Sequence, residues 1–192
     1  MFLLEAAERL VARDSSLESR IEILLAGVLS TSDREAAERS PLVRAPGYLS
    51  HPESIGLIRS ADLLFLPMQN LPPGRRSATV PGKTYEYMAS LRPILAAVPD
   101  GDAREFLLHA GTAHVCRPDD VDAMVRVLAE ELARTTADPR PNPAFLVQFE
   151  YRSLAERVAE LVDHVVNTGR RPRALSPEPE IGKQFIFSPP PL

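Results

Sequence analysis

The stretch Ser60-Ala-Asp-Leu-Leu-Phe-Leu-Pro67, followed by Val80-Pro-Gly-Lys-Thr-Tyr-Glu-Tyr-Met-Ala89 and Pro93-Ile-Leu-Ala-Ala-Val98, decides the fold. It reads as a buried strand, a loop, a short helix and a second buried strand. The helix opens on Pro81-Gly82 and carries one acid, Glu86, a turn further on. A helix that starts on glycine beside the end of a parallel strand offers free N–H groups to a phosphate. An acid one turn later reaches a ribose. This pattern points to a nucleoside diphosphate site.

Reading outward, apolar runs alternate with amphipathic or polar segments. Residues 2–12 carry a helical stripe through Leu3, Leu4, Ala7, Leu10 and Val11. The run at 20–29 ends on a glycine and reads as a buried strand. A polar helix at 33–39, a strand at 42–48 and a helix opened by His51-Pro-Glu follow. The third strand is placed at 61–67, the site helix at 81–90 and the fourth strand at 93–98. A helix at 101–110 and a short strand at 113–116 come next. Asp119 or Asp120 caps a long helix to about Ala133. A Pro-rich connection at 135–143 leads to a helix at 151–166. Strands alternating with helices imply an α/β fold, a Rossmann-like parallel sheet flanked by helices. Ligands of such sheets bind at the carboxyl ends of the strands. The expected organisation is one nucleotide-binding domain at 1–167 and a disordered Pro-rich tail at 168–192. Within that tail only Phe185-Ile-Phe187 is apolar enough to dock elsewhere.

The same residues resemble the donor-binding, C-terminal domain of GT-B glycosyltransferases, family 4 or group 1 type. The resemblance runs from about Ile21 to about Glu131. The family's acid motif is two glutamates eight positions apart; Glu86 matches the second, and Ala78 stands where the first would be. The Pro-Gly-Lys opening is shared with members that also lack the first glutamate. The resemblance implies that Glu86 accepts hydrogen bonds from the ribose. Gly82 and Lys83 would meet the diphosphate, with Thr84 and Tyr85 in support. It places Tyr48, at the end of the second strand, near the base; ordinary core is the other reading. Arg75 or Arg76, in a loop at 68–79 read as a mobile lid, would reach the diphosphate or remain solvated. No cofactor or metal is expected, because GT-B enzymes stabilise the leaving diphosphate with helix amides and basic side chains. The resemblance also leaves out the strand before the first helix, the loop after it, and the acceptor-binding domain. The expectation is therefore a partial domain, completed by a missing segment or by a partner chain, with its sheet deficient in the middle. A non-catalytic nucleotide-binding or assembly module is the main alternative; a sugar-nucleotide epimerase is the lesser one.

Composition sets the outer bounds. The 192 residues are 44% hydrophobic and 25% charged, as in an ordinary soluble domain. A net charge of −4 gives no long-range attraction to nucleic acid, so none is expected as a partner. The single Cys116 forms no disulfide within the chain, and the expected compartment is the cytoplasm. No apolar run approaches the roughly 18 residues that span a bilayer. Peripheral membrane contact stays open. The four histidines show no metal-ligand spacing.

Overall fold

The computed structural model describes residues 2–133 and 141–168. The chain divides into two units, Met1–Leu146 and Val147–Leu192. The expected tail at 168–192, with Phe185 and Phe187, lies outside the described residues but for Thr168.

The first unit holds α1 (Phe2–Arg13), β1 (Ile23–Ala26), α2 (Thr31–Arg39), β2 (Val43–Gly47), α3 (His51–Ser60) and β3 (Leu64–Pro67). It continues with α4 (Gly82–Ser90), β4 (Ile94–Ala97), α5 (Asp102–Ala110), β5 (Ala113–Cys116), α6 (Val121–Ala133) and α7 (Pro143–Leu146). The helix starts follow local chemistry. Ser30 Oγ accepts from the Asp33 amide at 3.2 Å to open α2. Ser50 and Glu53 form a capping box on α3. Asp120 Oδ1 accepts from the Ala123 amide at 2.9 Å and starts α6. A 3₁₀ turn at Ser15–Ser19 links α1 to β1 and was not apparent from the apolar pattern.

Every strand pairing is parallel. The strands form two sheets, β1-β2 and β3-β4-β5, where the alternation alone predicts one. β4 is the middle strand of the larger sheet, and all four of its residues are buried. A strand covered on both faces must be apolar throughout, which is why Ile94-Leu-Ala-Ala97 shows no alternation. Leu95 and Ala97 pack with Leu3, Ala6 and Leu10 of α1 and with Met124 and Val125 of α6. Ile94 and Ala96 alternate to the opposite face. On that side α4 packs against β3, α5 and α3. β1 is just as apolar, yet its residues are only half-buried or exposed.

The break lies between β1 and β3, where the resemblance leaves out a strand. Both strands line one trough of ≈ 2080 Å³. Their free backbone groups can be assigned by parity. The amides of Ile23 and Gly27 bond to β2 and its flank, at 2.7 and 2.8 Å, so those of Leu24 and Ala26 face away from β2. The amides of Leu64 and Met68 bond to Pro93 and Ala97, both at 2.9 Å, so that of Phe65 faces away from β4. Pro67 stands at the next position of that free edge and has no N–H to offer.

The loop at 68–79, expected to be a mobile lid, makes contacts at three places. Arg117 donates to Asn70 Oδ1 at 3.2 Å, and Asn70 Nδ2 donates to Asp119 at 2.7 Å. Arg76 pairs with Glu105 of α5. Ser77 forms a bridge with Gly101, its amide donating to Asp100 O at 2.8 Å and its carbonyl accepting from the Asp102 amide at 2.9 Å. These tethers reach residues far along the chain, so no local pattern announces them. Gly101 is required by this approach: its φ is +144°, and a Cβ built there would lie 2.0 Å from Ser77 O.

The second unit contains a 3₁₀ turn at Val147–Phe149 and α8 (Tyr151–Thr168). None of the residues of α8 is buried.

Two substitutions test this arrangement. Leu95→Ala, in the fully covered strand, should cost about 2–5 kcal/mol in urea unfolding, whereas Val28→Ala on the surface should stay within about 0.5 kcal/mol. Gly101→Ala should free the loop from Asp100–Asp102 and speed tryptic cleavage after Arg75 and Arg76 in the native protein. An unchanged cleavage rate would show that the bridge does not hold the loop.

Candidate functional site

The candidate site sits where β3 hands the chain to α4. Pro81 occupies the cap position of α4 and no side chain caps the helix. The Thr84 amide turns back to Pro81 O at 2.9 Å. The amides of Gly82 and Lys83 precede the first intrahelical bonds and open toward solvent, at the positive end of the helix dipole. Both residues are exposed.

Thr84 was read as a support residue, and it is fully buried. Its Oγ1 has no hydrogen-bond partner among the described residues. The buried hydroxyls of Ser40 and Thr112 are in the same state, so that of Thr84 does not by itself mark a ligand site. Glu86 follows half a turn later and is half-buried. Its charge is felt by Tyr87, whose hydroxyl is pushed above the usual phenol range, first by burial and second by Glu86. Tyr85 lies edge-on to Phe106 of α5, with ring centroids 6.4 Å apart. This contact fixes the outward face of α4.

Tyr48 directly follows β2 and is 83% exposed, so the reading of it as ordinary core does not hold. Tyr48 and Lys83 line the same trough between the half-sheets, with Asn70 and Tyr87. Gly82, Thr84, Glu86 and Arg75 are outside that lining. Arg75 is exposed on the loop, while Arg76 is engaged with Glu105. The structure thus brings Tyr48 and Lys83 to one wall-to-wall opening, and sets Gly82, Thr84 and Glu86 along one turn beside it. Arg75 joins neither group.

Two residues that pattern reasoning passed over contribute here. Asn70 stands at the mouth, held between Arg117 and Asp119. Arg104 of α5 donates to the carbonyls of Val98 and Cys116 at 3.4 and 3.5 Å, and lies 3.7 Å from Asp100. It thereby places positive charge against the carboxyl ends of β4 and β5. The one available signal for Asn70 is its place just after the strand-ending Pro67-Met68. Cys116 is buried at the end of β5, and burial pushes its thiol up to about 11. It is a packed side chain and not a poised nucleophile. His51 begins α3. His109 stacks on Phe145, and His114 lies 3.4 Å from Glu131. Among the described residues no group of His, Cys, Asp and Glu is arranged to hold a metal ion. Among the same residues no helix is long and apolar enough to cross a membrane.

Two solved structures share this arrangement of elements. One is α,α-trehalose 6-phosphate synthase from Burkholderia multivorans, 15% identical, with a TM-score of 0.60 over 91% of this chain and 42% of that one. The other is Alr3699/HepE of Anabaena in complex with UDP, 14% identical, with a TM-score of 0.57 over 78% of this chain and 43% of that one. The chain therefore spans less than half the length of either structure. No curated protein is significantly similar to it in sequence. Residues 1–134 match the family described as Glycosyl transferases group 1. That match covers well over half of the chain: it belongs to the group 1 glycosyltransferases, and its fold is that of a GT-B domain.

Proposed function

We propose that the chain is the donor-binding half of a glycosyltransferase and holds a nucleotide-sugar for transfer to an acceptor. The observation that carries this reading is the uncapped start of α4, which follows the carboxyl end of β3. Two open amides and a helix dipole favour a diphosphate there. The likeness in fold to a structure solved with UDP supports a nucleoside diphosphate as the ligand class.

In the reaction, the anomeric carbon of the sugar leaves the distal phosphate oxygen and bonds to an acceptor hydroxyl oxygen, which loses its proton. Negative charge then gathers on the departing diphosphate. The amides of Gly82 and Lys83, with the Lys83 ammonium, stabilise that charge as it develops. Arg75 adds long-range positive charge from the loop. Glu86 accepts from the ribose hydroxyls and fixes the nucleoside, and the exposed ring of Tyr48 packs against the base. On this reading no metal takes part. The opposite wall, which orients the acceptor, is supplied by polypeptide outside the described residues. Orientation of the two substrates is the main contribution of a two-walled cleft.

A second reading is a nucleotide-binding or assembly module without transfer activity. Both readings share the nucleotide site and part on turnover.

Glu86→Ala should weaken UDP, GDP or ADP binding in calorimetry by roughly 1.5–3 kcal/mol, the worth of a hydrogen bond to a charged acceptor, and leave the melting temperature unchanged. Equal affinity in parent and variant would remove Glu86 from the site. Supplied with nucleotide-sugars and acceptors, the purified chain alone should transfer nothing. Clear turnover would overturn the half-enzyme reading.

A further inference from the structure

The corner between β4 and α5 stands against the loop that leads into α4. Ser77 and Gly101 form a parallel bridge, and the Asp102 amide donates at 2.9 Å to Ser77 O, on the peptide that leads into Ala78. Asp102, the first residue of α5, is thereby set beside Ala78. Ala78 in turn lies four residues before Gly82, a span of at most about 14 Å even when fully extended. Three carboxylates gather at this corner, and two of them are engaged. Asp100 lies 3.7 Å from Arg104, and Glu105 pairs with Arg76. The Arg76 guanidinium feels Asp102 and Asp100 as well, but its hydrogen bond goes to Glu105. The half-buried Asp102 carboxylate forms no hydrogen bond or ion pair of its own among the described residues.

We propose that Asp102 is a specificity-determining residue of the donor site, whose carboxylate accepts hydrogen bonds from hydroxyls of the sugar on the distal phosphate. The proposal rests on the donor-binding reading above. An ionised carboxylate is an acceptor only, so its partner must donate. The diphosphate is itself anionic and has no hydrogen to give, whereas a sugar carries several hydroxyls. The order of the elements agrees with this assignment. Tyr48 follows β2, α4 follows β3 and α5 follows β4, and the trough lies on the side of β3 away from β4. Tyr48 and Asp102 therefore flank the start of α4 on opposite sides. A donor with its base toward Tyr48 and its diphosphate on Gly82 and Lys83 turns its sugar toward α5. At Ala78 the chain lacks the first acid of the two-glutamate motif. Asp102 brings a carboxylate to the same place from the neighbouring helix.

Titration of the full chain by NMR, read at the Gly82 amide, tests it. The probes are UDP, GDP and ADP, each set against a sugar-bearing counterpart: UDP-glucose, GDP-mannose and ADP-glucose. At least one of the three nucleotide-sugars should bind the parent chain. Asp102→Ala should weaken that nucleotide-sugar roughly ten- to a hundredfold, the worth of a hydrogen bond to a charged acceptor, and leave the matching diphosphate unchanged. Asp102→Glu should restore part of the loss. Glu86→Ala, by contrast, should weaken both members of the pair alike, since both carry the ribose. Three outcomes would overturn the proposal. They are nucleotide-sugar affinity that survives Asp102→Ala, an equal loss for the bare diphosphate, and a parent chain that binds diphosphates but no nucleotide-sugar. If no nucleotide moves Gly82 at all, the donor-binding reading itself falls, and the role of Asp102 falls with it.

Discussion

Among the described residues no strand of β1-β2 pairs with a strand of β3-β4-β5, so contacts between other elements hold the two half-sheets together. The seam of α1 against α6 does this. Leu3, Ala6 and Leu10 meet Met124 and Val125, and the same cluster reaches Leu95 and Ala97 on one sheet and Ile23 on the other. Each large apolar side chain buried there contributes about 1.5–3 kcal/mol. The exposed ion pair of Arg9 with Asp122, at 3.0 Å, adds little to that. Apolar packing is non-directional, whereas a backbone ladder sets spacing and angle. The relative placement of β1 and β3 is therefore less sharply defined by energy than that of β3 and β4.

This bears on the candidate site. Lys83 belongs to the side anchored on the three-stranded sheet, Tyr48 to the side anchored on β2, and the trough separates them. A ligand that touched both would bridge the half-sheets. The α4 side is the stiffer of the two. Its preceding loop is clamped by Asn70, Arg76 and Ser77, and its C-terminus closes on Leu91 in the left-handed conformation, φ 57°. The α4 end of the trough is thus held by β4 and α5, while the Tyr48 end depends on how β1-β2 is held.

Much of the fold was legible because the strands are short, undiluted apolar runs. Ile23–Ala26, Leu64–Pro67 and Ile94–Ala97 fall within the segments read from the residues. The error at β3 was at its start: Ala61 closes α3 by donating to Leu57 O at 3.1 Å, so the strand begins three residues later than Ala61. The tethers of the loop at 68–79 were not legible, because Pro, Gly and Arg composition says nothing of distant contacts. α7 was missed for a similar reason. The helix is short and begins on Pro143, and it persists because Phe145 packs on Phe106 and His109 of α5. At the site, the open helix start at Gly82 was visible from Pro81-Gly82, but the burial of Thr84 and the exposure of Tyr48 were not. Both depend on which neighbours the fold brings up or leaves out. The break in the sheet was foreseeable only through family resemblance, since β1 by itself reads like any buried strand.

Pro67 has a consequence for how this protein behaves in crowded solution. An apolar strand with a bare edge is a template on which other chains can stack into fibrous aggregates. Such growth needs a donor at every second residue along several positions. On the free side of β3, the proline removes that donor at the last position of a strand of only four residues. The edge gives a poor footing to repetitive addition.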